Sequence, residues 1–404
     1  MNWFRFRGVT ITREGLYYLL VFLFILVGAI IRDFQLLMVL ACMLLGPIIY
    51  NALFVYRSLR GLRFTRRVTG FIGCGDSFFV DLNIANVARK TCYAVVVRDE
   101  IEQIEGAFTD EPQQVETFFA RISRRDETHS NYRGVIHHRG KYRIGPLTVT
   151  TAFPLGMMRS TRIENVIDHL VVTPRIGMMT PAWRRLIQMD KTGFSSSRRR
   201  HGLLEGDFYG LRDWRNGDSK QWIHWRSSAK RGQLVVRQFE KQNQQDFALF
   251  VEAKVPRDPT PADLAALEQT ISMAATAVQD LAAIGGCHLQ LVCRGEKTNS
   301  VAGNVNQAFM VQALTNLAVL TKTHQDGFEN ALVECLLTAK PSTRIIVLSG
   351  ATIDLTDTSR FEKLWRDTQL RAELGRIKTI SAESGEIDTY FHLPPLPTVE
   401  DEEE

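Results

Sequence analysis

No Cys-x-x-Cys pair occurs among the six cysteines, which stand scattered at Cys42, Cys74, Cys92, Cys287, Cys293 and Cys335. Neither a zinc knuckle nor a disulfide framework is therefore written in the chain, and a reducing compartment is the simpler setting for unpaired thiols. The sequence also lacks G-x-x-x-x-G-K-[ST], which excludes ATP binding by a P-loop. It has no low-complexity block and only 13 Pro and 28 Gly among 404 residues, which excludes a collagenous or mainly disordered chain. Excess charge is small: 49 Lys plus Arg against 44 Asp plus Glu give +5. What is present is enough apolar sequence, 45%, for two or three cores at about 100 to 200 residues per domain.

Two uncharged apolar runs open the chain, Gly15 to Ile31 and Phe34 to Tyr56, separated by Arg32-Asp33. A bilayer core takes about 20 apolar residues in a helix, so the pair reads as a tight transmembrane hairpin. A cleavable signal peptide would share the basic start at Arg5, Arg7 and Arg13. It would not be followed at once by a second span, and no A-x-A site precedes that span. Lys and Arg near span ends resist translocation. Arg57, Arg60, Arg63, Arg66 and Arg67 follow the hairpin, and only Arg32, beside Asp33, lies in its loop. Both termini and the roughly 340 following residues are thus expected in the cytoplasm, on a multi-pass membrane protein. Gly46 and Pro47 are expected to kink the second span.

Between residues 61 and 175 the pattern changes to strand alternation. Phe78 to Ala85, Tyr93 to Asp99, Val115 to Ile122 and Leu147 to Ala152 are rich in β-branched and aromatic residues and punctuated by Gly, Asn and Pro, which predicts a small antiparallel sandwich or barrel. His129, His137 and His138 suggest no metal: adjacent His137 and His138 in a strand would face opposite ways, and no Asp, Glu or Cys stands at ligand spacing.

Residues 176–205 read as a basic linker containing Ser195-Ser196-Ser197-Arg198-Arg199-Arg200-His201. From Ser195 to Lys241 there are eleven Lys or Arg and five Asp or Glu, a charge that reads first as a solvated linker and next as suited to an acidic protein or lipid headgroups. No nucleic acid is expected. Residues 206–240 are the densest part of the chain. Asn216-Gly217 marks a turn. Asp218 or Ser219 is expected to cap a helix carrying Trp222, Trp225 and Ala229 on one face. Gly232 ends that helix, and Leu234 to Phe239 alternates as a strand. Trp214, Trp222 and Trp225 among Arg212, Arg215, Arg226 and Arg231 read either as an aromatic core with arginine stems packed over it or as a binding surface, because Trp and Arg are common anchors.

The run G-D-F-x-x-L-R-D-W-x-x-G-D, then I-H-W-x-x-S-A-K and L-V-V-R-x-F-E, resembles the signature of the bacterial membrane family known as domain of unknown function fifty-eight. It falls on Gly206, Asp207, Leu211, Arg212, Gly217, Asp218, Ile223, His224, Trp225, Ser228, Ala229, Leu234, Arg237 and Glu240. Trp214 stands where the family commonly has Tyr, and Gln221 where it commonly has Arg. The resemblance extends over the paired spans, the β-rich segment, the motif and the C-terminal region. It implies a von Willebrand factor A-like C-terminal domain and a MoxR-type AAA+ ATPase as partner; it implies no known reaction.

Residues 241–382 alternate strands (246–251, 287–293, 343–348, 376–381) with helices (262–284, 307–320, 327–338, 360–374), which predicts a parallel sheet wrapped on both faces. The expected architecture is a transmembrane hairpin (1–60), a β-rich sandwich-like domain (61–175), the linker, the motif and this α/β domain. Residues 383–404 form an acidic tail ending Glu400-Asp401-Glu402-Glu403-Glu404. In von Willebrand factor A-like folds the loop after the first strand can hold a metal on D-x-S-x-S. Here it reads Glu252-Ala253-Lys254-Val255-Pro256, and no metal or other cofactor is expected. Two enzymatic readings compete: a metal-dependent nuclease on Asp246, Glu252 and Lys254, and a hydrolase on Asp218, His224 and Ser228, although Ser228 lacks a G-x-S-x-G turn. The favoured expectation is a non-enzymatic, membrane-anchored interaction adaptor with no small-molecule substrate. Its partner-binding or structural residues are Gly206, Asp207, Arg212, Trp214, Gly217, Asp218, His224, Trp225, Ser228, Ala229, Arg231, Arg237 and Glu240. A self-associating structural membrane protein is the third reading.

Overall fold

In a computed structural model, which describes residues 5–6, 8–108, 111–188, 208–215, 218, 220–239, 245–340 and 343–395, both apolar runs are helices. They are α1 (Arg13–Arg32) and α2 (Gln35–Ser58), each long and apolar enough to cross a membrane. Asp33 closes α1 with φ 46°, and the Tyr18 hydroxyl donates to the Leu44 carbonyl at 3.2 Å. Only 11% of each apolar window is buried; Phe24, Ile31, Leu36 and Met43 stand exposed. A soluble core helix would bury such residues, since burial of a large apolar side chain is worth about 1.5–3 kcal/mol.

The base of the hairpin is fixed to the loop Phe153–Met157. Thr12 caps α1 by accepting from the Gly15 amide at 3.1 Å, and its hydroxyl donates to the Gly156 carbonyl at 2.6 Å. A Cβ on Gly15 would fall 1.9 Å from the Met157 carbonyl oxygen, so only glycine fits. Buried Asn51 accepts from the Leu155 amide at 3.3 Å, and Phe54 meets Phe153 edge-on. Helices and β-domain thus belong to one unit that runs to Arg175; Ile176–Pro395 forms the second.

The strands of the first unit are β1 (Arg5–Phe6), β2 (Val9–Ile11), β3 (Leu62–Val68), β4 (Phe71–Gly73), β5 (Ser77–Asn86), β6 (Cys92–Gly106), β7 (Gln113–Ile122), β8 (Glu127–Val135), β9 (Gly140–Ile144), β10 (Leu147–Thr151), β11 (Met158–Glu164) and β12 (Asp168–Thr173). One sheet is ordered β1-β2-β11-β10-β6-β9-β12-β4, with β7 also on β6; the other is β3-β5-β8. Pairing is antiparallel except between β12 and β4. Alternation on β5 turns Phe78, Val80, Leu82 and Ile84 inward. They pack against Val95, Val97, Val149, Ile144 and Leu170 of the facing sheet, which makes the unit a two-sheet packing.

Arg66 joins the sheets. Its Nη1 donates to both Asp99 oxygens at 2.7 Å and its Nε to Asp168 at 2.8 Å. Its Nη2 donates to the Ile144 and Val166 carbonyls at 2.7 and 3.0 Å. The Tyr132 hydroxyl completes the Asp99 shell at 2.7 Å. Arg66 is therefore an internal pin and not a free charge flanking the hairpin. His137 and His138 lie in the β8–β9 connection, beyond the strand in which the sequence suggested them, and His138 stacks on Phe108.

The second unit contains β13 (Met178–Met179), α3 (Pro181–Gln188), β14 (Phe208–Asp213), α4 (Trp225–Arg231), β15 (Val235–Phe239), β16 (Gln245–Glu252), α5 (Pro261–Ile284), β17 (Cys287–Arg294), β18 (Thr298–Asn304), α6 (Gln307–Ala318), α7 (Phe328–Thr338), β19 (Arg344–Ser349), α8 (Glu362–Arg366), α9 (Thr368–Glu373), β20 (Ile377–Ser381), α10 (Ile387–Tyr390) and β21 (Phe391–His392). The main sheet is ordered β18-β17-β16-β19-β20. It is mixed, not all parallel, because β18 runs antiparallel to β17. The residues of β18, TNSVAGN, carry a single large apolar side chain, so its polar edge position hid it from the sequence pattern. Alternate residues of β16 serve opposite faces: Phe247, Leu249 and Val251 pack in one core with α5 and α6, and Ala248 and Phe250 in another with α7 and α8. The expected helix 360–374 is two short helices, broken at Asp367, which ends α8 and caps α9 through the Gln369 amide at 2.8 Å.

Candidate functional site

The motif folds as a two-stranded ribbon, β14 against β15, interrupted by a 3-10 turn at Lys220–Trp222 and by α4. Gly206, Asp207, Gly217 and Glu240 lie outside the described residues. The expected capping is corrected. His224, not Asp218 or Ser219, caps a helix that begins only at Trp225, with its Nδ1 accepting from the Ser227 amide at 3.2 Å. Trp222 therefore does not share that helix with Trp225 and Ala229. Gly232 ends α4 in the left-handed region, φ 68°, as its lack of a Cβ permits.

Asp218 instead holds the turn. It receives Arg212 Nη1 and Nη2 at 2.7 Å each and the Arg215 amide at 2.8 Å. The Arg212 guanidinium, with the Arg215 N–H, keeps its carboxyl below the usual carboxylate range, as hydrogen bonds to the charged form do. Ser228 is buried; its hydroxyl donates to the His224 carbonyl at 3.1 Å and accepts from the Val235 amide at 2.9 Å. With Ile223, Val235 and Val236 it forms the small interior of the ribbon. Asp218, His224 and Ser228 thus make no relay: the carboxylate is taken by arginine and the serine by backbone.

The motif's outer surface has a different character. Trp225 is 67% exposed and Leu234 44%, and Arg215, Lys220, Arg226, Ala229, Lys230, Arg231 and Arg237 are also exposed. Trp214 is half-buried. Framework and surface are thereby separated: Arg212, Asp218, His224 and Ser228 shape the ribbon, and Trp225 and the remaining cations face outward.

A second cluster lies at the carboxyl ends of the main sheet. Glu252 ends β16, buried, and its Oε1 receives Arg294 Nη1 from the end of β17. Arg294 Nη2 donates to the Gln325 carbonyl at 2.6 Å, and Lys254 pairs with Asp326. Asp246, the second residue of the same strand, pairs with Lys340 at 3.3 Å. Six residues of strand at ~3.3 Å each put Asp246 about 20 Å from Glu252, too far for the shared metal that the nuclease reading requires. Among the described residues no group of three or more His, Cys, Asp or Glu is arranged to hold a metal ion. Arg294 was missed from sequence because its partner Glu252 lies 42 residues away, a relation that no local spacing marks.

Residues 210–360 match the family described as Protein of unknown function DUF58. The DUF58 match begins within β14 and covers the ribbon, β16–β19 and the intervening helices. The hairpin and β-domain lie outside it, so it is narrower than the resemblance suggested by the sequence. No curated protein matches the chain. Solved structures with local similarity include the Pseudomonas fluorescens alkylpurine DNA glycosylase AlkC bound to DNA (12% identity, 28% of this chain and 30% of that one, TM-score 0.22). Others are a Listeria innocua β-glucosidase with isofagomine (10%, 28% and 16%, TM-score 0.20) and the CARDB domain of Pyrococcus furiosus PF1109 (12%, 28% and 94%, TM-score 0.18). The chain spans less than a third of the first two, and at these TM-scores none carries an inference.

Proposed function

We propose that this protein is a membrane-anchored, non-enzymatic adaptor. In this reading α1 and α2 hold it in a bacterial inner membrane with both termini and the soluble regions in the cytoplasm. The motif surface engages a protein partner, a MoxR-type AAA+ ATPase, in envelope assembly or maturation. The C-terminal domain is read as von Willebrand factor A-like, supported by its strand order 3-2-1-4-5 with an antiparallel third strand. The observation that carries the adaptor reading is Trp225, 67% exposed among Arg226, Lys230 and Arg231. An indole left mostly in water contributes little to the interior, and Trp and Arg are the usual anchors of interfaces.

The test is affinity capture of the full-length protein from gently solubilised native membranes, beside Trp225→Ala. Enrichment of an AAA+ ATPase that Trp225→Ala loses supports the reading. Its equal retention by the variant, or its absence, overturns it. A size measurement in detergent separates the self-associating alternative, and retained partner binding with lost activity in Glu252→Ala or His224→Asn would favour a hydrolase.

A further inference from the structure

Across the carboxyl edge of the main sheet, Arg294, Glu252, Ser349 and Ser381 stand in register on β17, β16, β19 and β20, all of them buried. From β16 the chain builds outward to β17 and β18 on one side and to β19 and β20 on the other. The crevice outside the strand ends at such a switch point is where doubly wound sheets take ligands. A von Willebrand factor A-like domain implies a hard divalent cation there, which requires several convergent oxygen donors. The residues present do not fit one. Glu252 is engaged by Arg294 and Lys254 by Asp326. Asp354 and Asp357 in the loop after β19 turn back on Thr356 at 2.7 Å and Ser359 at 2.6 Å.

We propose that the Arg294 guanidinium is a built-in cation of this crevice, and that it ties β16, β17 and the α6–α7 connection together without any metal. Three features support it. Arg294 is buried and bonds both Glu252 and the Gln325 carbonyl. Gly327, at the start of α7, leaves it room: a Cβ there would press Nη2 at 2.9 Å. Lys254 puts a second positive charge on the same rim, where a divalent ion would be repelled. A guanidinium stays protonated at any working pH, so no chelator can remove this charge. The charged groups around Glu252 are Arg294 from β17 and Lys254 from its own loop; Asp326, on the α6–α7 connection, is held by Lys254 and also feels Arg294 and Arg360. Burial pushes the Glu252 carboxyl up to about 7 against the pull of Arg294 and Lys254, so loss of Arg294 pushes it higher still and makes its ionisation costlier as pH rises.

The experiment uses full-length protein in detergent. Mn²⁺ binding is titrated by electron paramagnetic resonance, and thermal unfolding is followed with EDTA or Mg²⁺, for the wild type, Glu252→Gln, Arg294→Met and Glu252→Gln/Arg294→Met. The expected results are no saturable Mn²⁺ binding below about 1 mM, the weak end of protein calcium-site affinities, and unfolding unchanged by EDTA or Mg²⁺. Arg294→Met should unfold earlier, with a larger deficit at pH 8 than at pH 5.5, and the double variant should recover most of it. Saturable Mn²⁺ binding that Glu252→Gln abolishes would overturn the proposal. So would an Arg294→Met deficit equal at both pH values and not relieved by Glu252→Gln. If Arg294→Met does not fold, the wild-type titration and the double variant decide the matter alone.

Discussion

Arg66 in the β-domain and Arg294 in the α/β domain are both buried guanidiniums bonded to carboxylates, and they are completed differently. Arg66 uses Nε, Nη1 and Nη2 on two carboxylates and two carbonyls, and Tyr132 adds a hydroxyl to Asp99. Burial and the Asp99 carboxylate keep the Tyr132 phenol protonated and donating. Arg294 has one carboxylate oxygen and one carbonyl, and the other oxygen of Glu252 has no partner among the described residues. Arg66 is a static pin with its bonds made, whereas at the second site it is the half-partnered Glu252 carboxyl that is open to titration.

The largest effect expected is at the complete network. Arg66→Met leaves Asp99 buried with only the Tyr132 hydroxyl and the Glu100 amide and no cation, and removing one partner of a buried pair costs about 3–5 kcal/mol. Denaturant unfolding of the full-length protein in detergent should show a loss of that size, nearly unchanged by salt because the site is closed to ions. A loss below ~1 kcal/mol, the size of an exposed pair, would mean that the network is wetter than its geometry indicates.

Next in size is the incomplete pair. The folded-state value for Glu252, about 7, lies above the ordinary 4.5, so between those values the folded state binds more protons than the unfolded one. The stability linked to Glu252 is thus fully present below about pH 4.5 and is lost as pH rises through about 7. The shift corresponds to about 3 kcal/mol. Glu252→Gln should flatten this part of the unfolding profile measured from pH 4.5 to 8; an unchanged profile would assign the slope to another group.

These two sites also show what a sequence makes legible. The apolar runs 15–31 and 34–56, the alternation of 78–85 and the strand-helix order after 246 are local patterns, and they anticipated α1, α2, β5 and most of the main sheet. Arg66 partners Asp99, Asp168 and two carbonyls from 33 to 102 residues away, a relation that no local spacing expresses; it read as one more basic residue after the hairpin. Polar β18 and the break at Asp367 were hidden because neither carries a periodic apolar signal. In the motif the residue types were visible and their division of labour was not. Asp218 read as a helix cap because Asp favours that position, whereas Arg212 on the neighbouring strand claims both its oxygens.

The Arg212–Asp218 pair sharpens the comparison from the surface side. It is a two-nitrogen, two-oxygen fork, which neither interior pair forms, but it lies partly in water, where Coulomb attraction is screened and salt weakens it. Asp218→Asn should lower the melting temperature less than either buried change, and by an amount that shrinks as NaCl is raised from 50 mM to on the order of 1 M. A salt-independent loss as large as that of Arg66→Met would show that the turn is an interior feature.

Trp225→Ala should have the smallest effect on stability and a large one on association. A side chain 67% exposed gives little transfer free energy to folding, so unfolding should stay within about 0.5 kcal/mol of wild type, as for ordinary surface substitutions. If the indole is an anchor for the proposed partner, its loss should weaken capture by at least about 2 kcal/mol, roughly thirtyfold in affinity. Arg226→Ala and Lys230→Ala on the rim should mainly slow association and reduce its salt dependence. The two measurements separate framework from surface. Asp218→Asn weakens capture through a loosened ribbon and does so with some loss of stability, while Trp225→Ala weakens it with none. A Trp225→Ala protein that melts several degrees early would place the indole in the interior of the ribbon, and the exposed face would then lose its claim to be an interface.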